Sequence, residues 1–67
     1  MNKEQELEKL RQLAIALKVN MEILEHATKV NHVPNAYATS QAMLYALKEF
    51  DKIAHKRYNE WNAGEDF

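Results

Sequence analysis

The stretch Asn31-His32-Val33-Pro34-Asn35 contains the only proline of this 67-residue chain and separates two long segments of helical periodicity. Proline cannot continue a helix, and it biases the residue before it towards an extended conformation. The flanking segments, about residues 2–30 and 36–62, are nearly equal in length. A short loop at 31–35 between matched helices favours an antiparallel hairpin. We therefore predict an all-α fold in a single domain, with a short acidic tail at 63–67.

The helix ends carry recognisable capping residues. Asn2 can cap the first helix, and Gln5 follows at the spacing of a capping box. Pro34 suits the first position of the second helix, although Asn35, Thr39 or Ser40 could cap that helix instead. Gly64 is well placed to end it.

The first helix is apolar around an arc of roughly 220° at 100° per residue, about twice what one neighbouring helix requires. Two seams with alternating steps of four and three residues produce this width. The first seam consists of Leu7, Leu10, Ala14, Leu17, Met21, Leu24 and Thr28. The second consists of Leu13, Ala16, Asn20, Ile23, Ala27 and Val30. The sequence does not decide which seam packs within the chain and which one meets a partner.

The excess apolar surface predicts a partner, most simply a second copy that completes a four-helix bundle, while a heteromeric bundle stays open. The candidate interface residues are Leu10, Leu13, Leu17, Met21, Ile23, Leu24 and Val30. Asn20 within the second seam has three interpretations. It lies at the edge of the arc, selects the register of packing as a buried asparagine does in coiled coils, or marks a break that creates a third short helix.

Size and composition narrow the class of protein. A chain this short forms a marginal core, and without cysteine it has no disulfide to reinforce it, so oligomerisation is the expected reinforcement. The formal net charge of -1 disfavours a dedicated nucleic-acid binder. The first residues show no apolar signal core, and the longest apolar run, Leu13 to Leu17, is far shorter than a membrane span. We expect a cytoplasmic protein.

No arrangement of residues predicts catalysis, a cofactor or a metal. The carboxylates are scattered over polar arcs, and a single glycine excludes a glycine-rich phosphate loop. No two of His26, His32 and His55 are one helical turn apart, which a chelating pair on one helix would require. We predict a protein that is not an enzyme.

Two further clusters bear on function. An aromatic group near the C-terminus could close the core or anchor a partner, and it consists of Tyr58, Trp61 and Phe67. A lysine stripe on the second helix could contact phosphates, and it consists of Tyr45, Lys48, Lys52 and Lys56. The favoured function is a small protein–protein interaction module, namely an adaptor, inhibitor or regulatory subunit. The alternative is a nucleic-acid-binding helical dimer that uses the lysine stripe.

Overall fold

The computed structural model describes residues 2–64 and confirms the all-helical hairpin. Helix α1 spans Lys3–Lys29 and helix α2 spans Val33–Asn62. The two helices pack side by side along their length, in a body of 47 × 16 × 16 Å. No strand occurs between residues 2 and 64. Glu65, Asp66 and Phe67 of the predicted acidic tail lie outside the described residues.

The predicted capping box at the start of α1 is present. The Asn2 side chain accepts a hydrogen bond from the Gln5 backbone N–H at 2.8 Å, and the Gln5 side chain accepts one from the Asn2 N–H at 3.1 Å. At the far end of α2, Gly64 adopts a φ of 86° beyond the capping residue Ala63. This left-handed conformation suits glycine and lets the Gly64 N–H donate to the Trp61 carbonyl.

Helix α2 starts at Val33, three residues before the predicted position. Pro34 is its second residue, where the backbone N–H would lack an intrahelical partner anyway. His32, and not Asn35, Thr39 or Ser40, is the cap, because its Nδ1 accepts from the Asn35 N–H at 3.2 Å. The preceding turn is tight since Asn31 is left-handed at φ 57° and the His32 N–H donates to the Ala27 carbonyl.

The break considered near Asn20 does not occur, and neither does the third helix. Helix α1 runs without interruption from Lys3 to Lys29. The Asn20 side chain donates from Nδ2 to the Ala16 carbonyl at 2.8 Å, so its amide bonds within the helix that it was expected to interrupt. Such a bond to the residue four positions back leaves the backbone ladder intact.

The packing seam between the helices lies between the two seams that the sequence suggested. On α1 the buried and half-buried seam positions are Glu6, Leu10, Leu13, Leu17, Asn20, Leu24 and Ala27. On α2 they are Ala36, Thr39, Met43, Ala46, Phe50, Ile53, Arg57 and Glu60. Both series keep the coiled-coil step. The only buried apolar residues among those described are Ala27 and Ala46, so the hairpin alone has a thin core.

Candidate protein-binding face

One side of the hairpin carries large apolar residues from both helices. Because the helices are right-handed and antiparallel, the residue that follows a seam position points to the same side of the hairpin on each helix. The surface defined in this way, here called the apolar face, carries the exposed charged residues Arg11, Lys18, Glu25 and Asp51. It also carries six exposed large apolar residues. They are Leu7 and Met21 from α1, with Leu44, Leu47, Tyr58 and Trp61 from α2.

Two shallow grooves show that the helices meet along this surface. Near the open end, Leu10 of α1 lines one groove with Ala54, Tyr58 and Trp61 of α2. Near the turn, Thr28 lines another with residues that include Val33, Tyr37 and Ser40. Both grooves join positions that flank the seam on the same side. The apolar face therefore extends over most of the hairpin's length.

The aromatic cluster forms one end of the apolar face. The rings of Tyr58 and Trp61 lie 6.3 Å apart between centroids and are tilted by 42°. Trp61 remains 61% exposed, so the pair does not close the core over the start of α1. The two rings form one wall of the groove that Leu10 lines, and this groove is open to an inserted side chain of a partner. The third predicted member, Phe67, lies outside the described residues.

The structure divides the seven predicted interface residues into three groups. Four of them pack within the hairpin and are half-buried: Leu10, Leu13, Leu17 and Leu24. Met21 lies on the apolar face and is 52% exposed. Ile23 and Val30 are exposed on the other side of α1, where Val19 and Ile15 extend the apolar surface outwards.

The lysine stripe lies on the side of the hairpin opposite the apolar face, by the same helical geometry. All four of its residues, Tyr45, Lys48, Lys52 and Lys56, are exposed. Carboxylates partly neutralise it, however. Lys52 Nζ is 3.3 Å from Glu49 Oε1, and Lys56 Nζ is 3.6 Å from Glu6 Oε2.

A buried ionic cluster at the open end of the hairpin was not predicted. The Arg57 guanidinium donates to the carboxylates of Glu6, across the helix interface, and Glu60, one turn further along α2. Glu6 and Arg57 are each about 95% buried, at 4% and 5% exposure. Neither Glu6 nor Arg57 is among the seam or site residues predicted from the sequence. Their spacing could have indicated that they are buried. Glu6 lies four residues before Leu10, and Arg57 lies four residues after Ile53, which is one step of the packing seam in each case.

The described residues show neither a metal site nor a membrane helix. From residue 2 to residue 64, no group of three or more His, Cys, Asp or Glu side chains is arranged to hold a metal ion. Neither α1 nor α2 is long and apolar enough to cross a membrane. Every buried side-chain nitrogen or oxygen in this part of the chain has a hydrogen-bond partner.

Comparison with protein-family models, with curated proteins and with solved structures gave no match to this chain.

Proposed function

We propose that this chain is a protein–protein interaction module that acts through its apolar face, without enzymatic activity of its own. Its role would be that of an adaptor, inhibitor or regulatory subunit in the cytoplasm. The observation that carries the proposal is the grouping of Leu7, Met21, Leu44, Leu47, Tyr58 and Trp61 on one surface, each more than a third exposed. Large exposed apolar patches mark interaction sites on soluble proteins.

The first occupant that we propose is a second copy, so that two hairpins form a four-helix bundle. The support is the thin core: no large side chain of the described hairpin is fully buried. Chains below about 70–80 residues need reinforcement beyond a single core, and this one has no cysteine. A second hairpin stacked on the apolar face would bury Leu10 and Leu17 as well as the six face residues, and so would supply the missing core.

Leu47→Lys tests the face by placing a charge at its middle. The interface of a two-fold dimer contains Leu47 twice, and each copy loses roughly 1.5 kcal/mol of apolar burial. The dimer dissociation constant should therefore rise by about 100-fold. Light scattering across a dilution series measures this, with Val19→Lys as the matched control. Val19 is 50% exposed and Leu47 48%, but Val19 lies outside the face.

A parent chain that is monomeric at every concentration would remove the second copy as the occupant. A dimer that Leu47→Lys leaves intact while Val19→Lys dissociates it would move the interface to the outer surface of α1. Circular dichroism of both variants shows that the helices persist, so that a change of mass reports association and not unfolding.

A second candidate function is nucleic-acid binding through the lysine stripe. The observation in its favour is that the stripe lies opposite the apolar face and so would stay exposed, in two copies, on the proposed dimer. The ion pairs of Lys52 with Glu49 and of Lys56 with Glu6 reduce the charge that it could offer to phosphates. We therefore rank this function below protein binding.

Binding to generic RNA and duplex DNA at low and moderate salt tests the stripe. Contacts with phosphates would weaken steeply as salt increases. If the stripe binds nucleic acid, the triple variant K48E/K52E/K56E would abolish that binding, whereas K9E/K18E/K29E on α1, which makes the same change in net charge elsewhere, would retain it. We expect no salt-sensitive binding by the parent chain. Binding lost only in the α2 triple variant would establish the second function.

A further inference from the structure

His32 joins the two helices through both its backbone and its side chain. Its N–H donates to the Ala27 carbonyl at 2.8 Å, and the N–H of the left-handed Asn31 donates to the Thr28 carbonyl at 3.1 Å. These two bonds form a Schellman motif, which satisfies two of the last carbonyls of α1. His32 therefore completes the end of α1 and is at the same time the cap of α2.

The cap of α2 uses the lone pair of a ring nitrogen. The Asn35 N–H donates to His32 Nδ1 at 3.2 Å, and the Ala36 N–H donates to the His32 carbonyl at 3.1 Å. The bond to Nδ1 satisfies a donor that the first turn of a helix leaves without a helical partner. Nδ1 accepts a hydrogen bond only while it carries no proton, so the cap requires a neutral imidazole with its proton on Nε2. The capping bond therefore depends on the protonation state of His32.

The charged groups around the turn disfavour an imidazolium at this position. The start of α2 is the positive end of its helix dipole, and its first turn contains no carboxylate. The last turn of α1 contains His26 and Lys29, which are both basic. The nearest carboxylate along α1 is Glu25, one turn before Lys29, and α2 has no charged residue before Lys48. Protonation of His32 thus removes a hydrogen bond and adds an unfavourable charge at the same place.

We propose that the turn is a pH-sensitive element, in which protonation of His32 releases the first turn of α2. Because only the neutral ring accepts the bond, the cap stabilises the helix at the higher pH. That stabilisation is lost as the pH falls through the range in which histidine side chains gain a proton, near about 6.5. His32, Val33 and Tyr37 all line the groove at the turn, so acidification loosens that end of the apolar surface. The capping box of Asn2 at the open end contains no group that titrates in this range.

Amide hydrogen exchange at Asn35 tests the capping bond directly, and Gln5 is the control within the same chain. The Gln5 N–H donates to its cap Asn2 at 2.8 Å with the same spacing, but the amide oxygen of asparagine does not titrate. The protection factor is corrected for the intrinsic pH dependence of exchange. Between about pH 7.5 and about pH 5.5, on either side of the histidine range, that of Asn35 should fall several-fold while that of Gln5 stays constant. A constant protection factor at Asn35 would overturn the pH-sensitive turn.

His32→Asn replaces the titrating cap by a residue that caps helices well and keeps its acceptor over the same pH range. The parent's loss of melting temperature between about pH 7.5 and about pH 5.5 should exceed that of the variant by about 4 °C, the shift expected for one lost cap. His55→Asn makes the same substitution at an exposed position within α2 and should keep the parent's pH dependence. All melts use one protein concentration. Equal pH dependence in the parent and in His32→Asn would overturn the role of His32, and the comparison of Asn35 with Gln5 decides the matter in the unaltered chain if the variant folds poorly.

Discussion

Arg57→Leu should destabilise the protein by about 3 kcal/mol or more, because it leaves the buried Glu6 carboxylate without its guanidinium partner. Both side chains are about 95% buried, so solvent does not screen the loss. For a chain of this size, 3 kcal/mol corresponds to a fall in melting temperature of roughly 12 °C or more. Thermal unfolding followed by circular dichroism at 222 nm is the measurement.

Two control variants separate the buried pair from general effects at this site. Lys56→Leu removes an exposed amine 3.6 Å from Glu6 and should cost less than about 1 kcal/mol. The double variant Glu6→Leu/Arg57→Leu replaces both charges by apolar groups and should recover most of the stability lost by Arg57→Leu, since paired buried charges are often no better than well-packed leucines. An Arg57→Leu protein that melts with the parent would contradict the ionic cluster.

The ionic cluster also bears on specificity. Leucine and alanine along both seams would tolerate a shift of one helix along the other, whereas a buried acid and base across the interface satisfy each other in one register only. Glu6 and Arg57 stand at the open end, far from the turn that fixes the other end. With both ends fixed, the helices stay in register and the residues of the apolar face stay level with one another.

The features that follow from local sequence were predictable. Asn2 with Gln5, and Gly64, carry their capping roles in their own residue types and spacing. The hairpin followed from one proline between two periodic segments of equal length. The start of α2 was missed because a histidine is a rare cap, and His32 takes that role through Nδ1. The break at Asn20 was suggested by residue type, but its amide bonds back to Ala16 and the helix continues.

The choice of packing seam could not be predicted, because it depends on the partner helix and not on α1 alone. An arc of roughly 220° accepts a neighbour on either side. The seam of α2, which includes Thr39 and Ala46, packs against Leu10, Leu13, Leu17, Leu24 and Ala27 of α1. These five residues come from both of the predicted seams. Glu6 and Arg57 are also part of this packing seam. Because both residues are charged, the pattern of apolar positions does not predict them as core residues.

Leu17→Ala should cost roughly 2–3 kcal/mol, at the lower end of the range for such truncations because Leu17 is only half-buried in the hairpin. Leu17 lies in the seam and borders the apolar face, so a second copy would cover it further. The matched control is Ile15→Ala on the same helix. Ile15 is 63% exposed, and alanine is the better helix former, so this change should alter stability by less than about 0.5 kcal/mol.

The concentration dependence of the Leu17→Ala melt links stability to the proposed interface. If the native state is a dimer, the melting temperature of the parent rises with protein concentration, since association stabilises the folded form by mass action. Leu17→Ala should lower the melting temperature at every protein concentration. The unfolded fraction should be largest at the lowest concentration, because dissociation of the dimer on dilution adds to the loss of packing. Equal melting temperatures for Leu17→Ala and Ile15→Ala would mean that Leu17 is not in a packed seam. A large loss that does not vary with concentration would keep the seam and remove the dimer, because a monomeric hairpin depends on its own two helices alone.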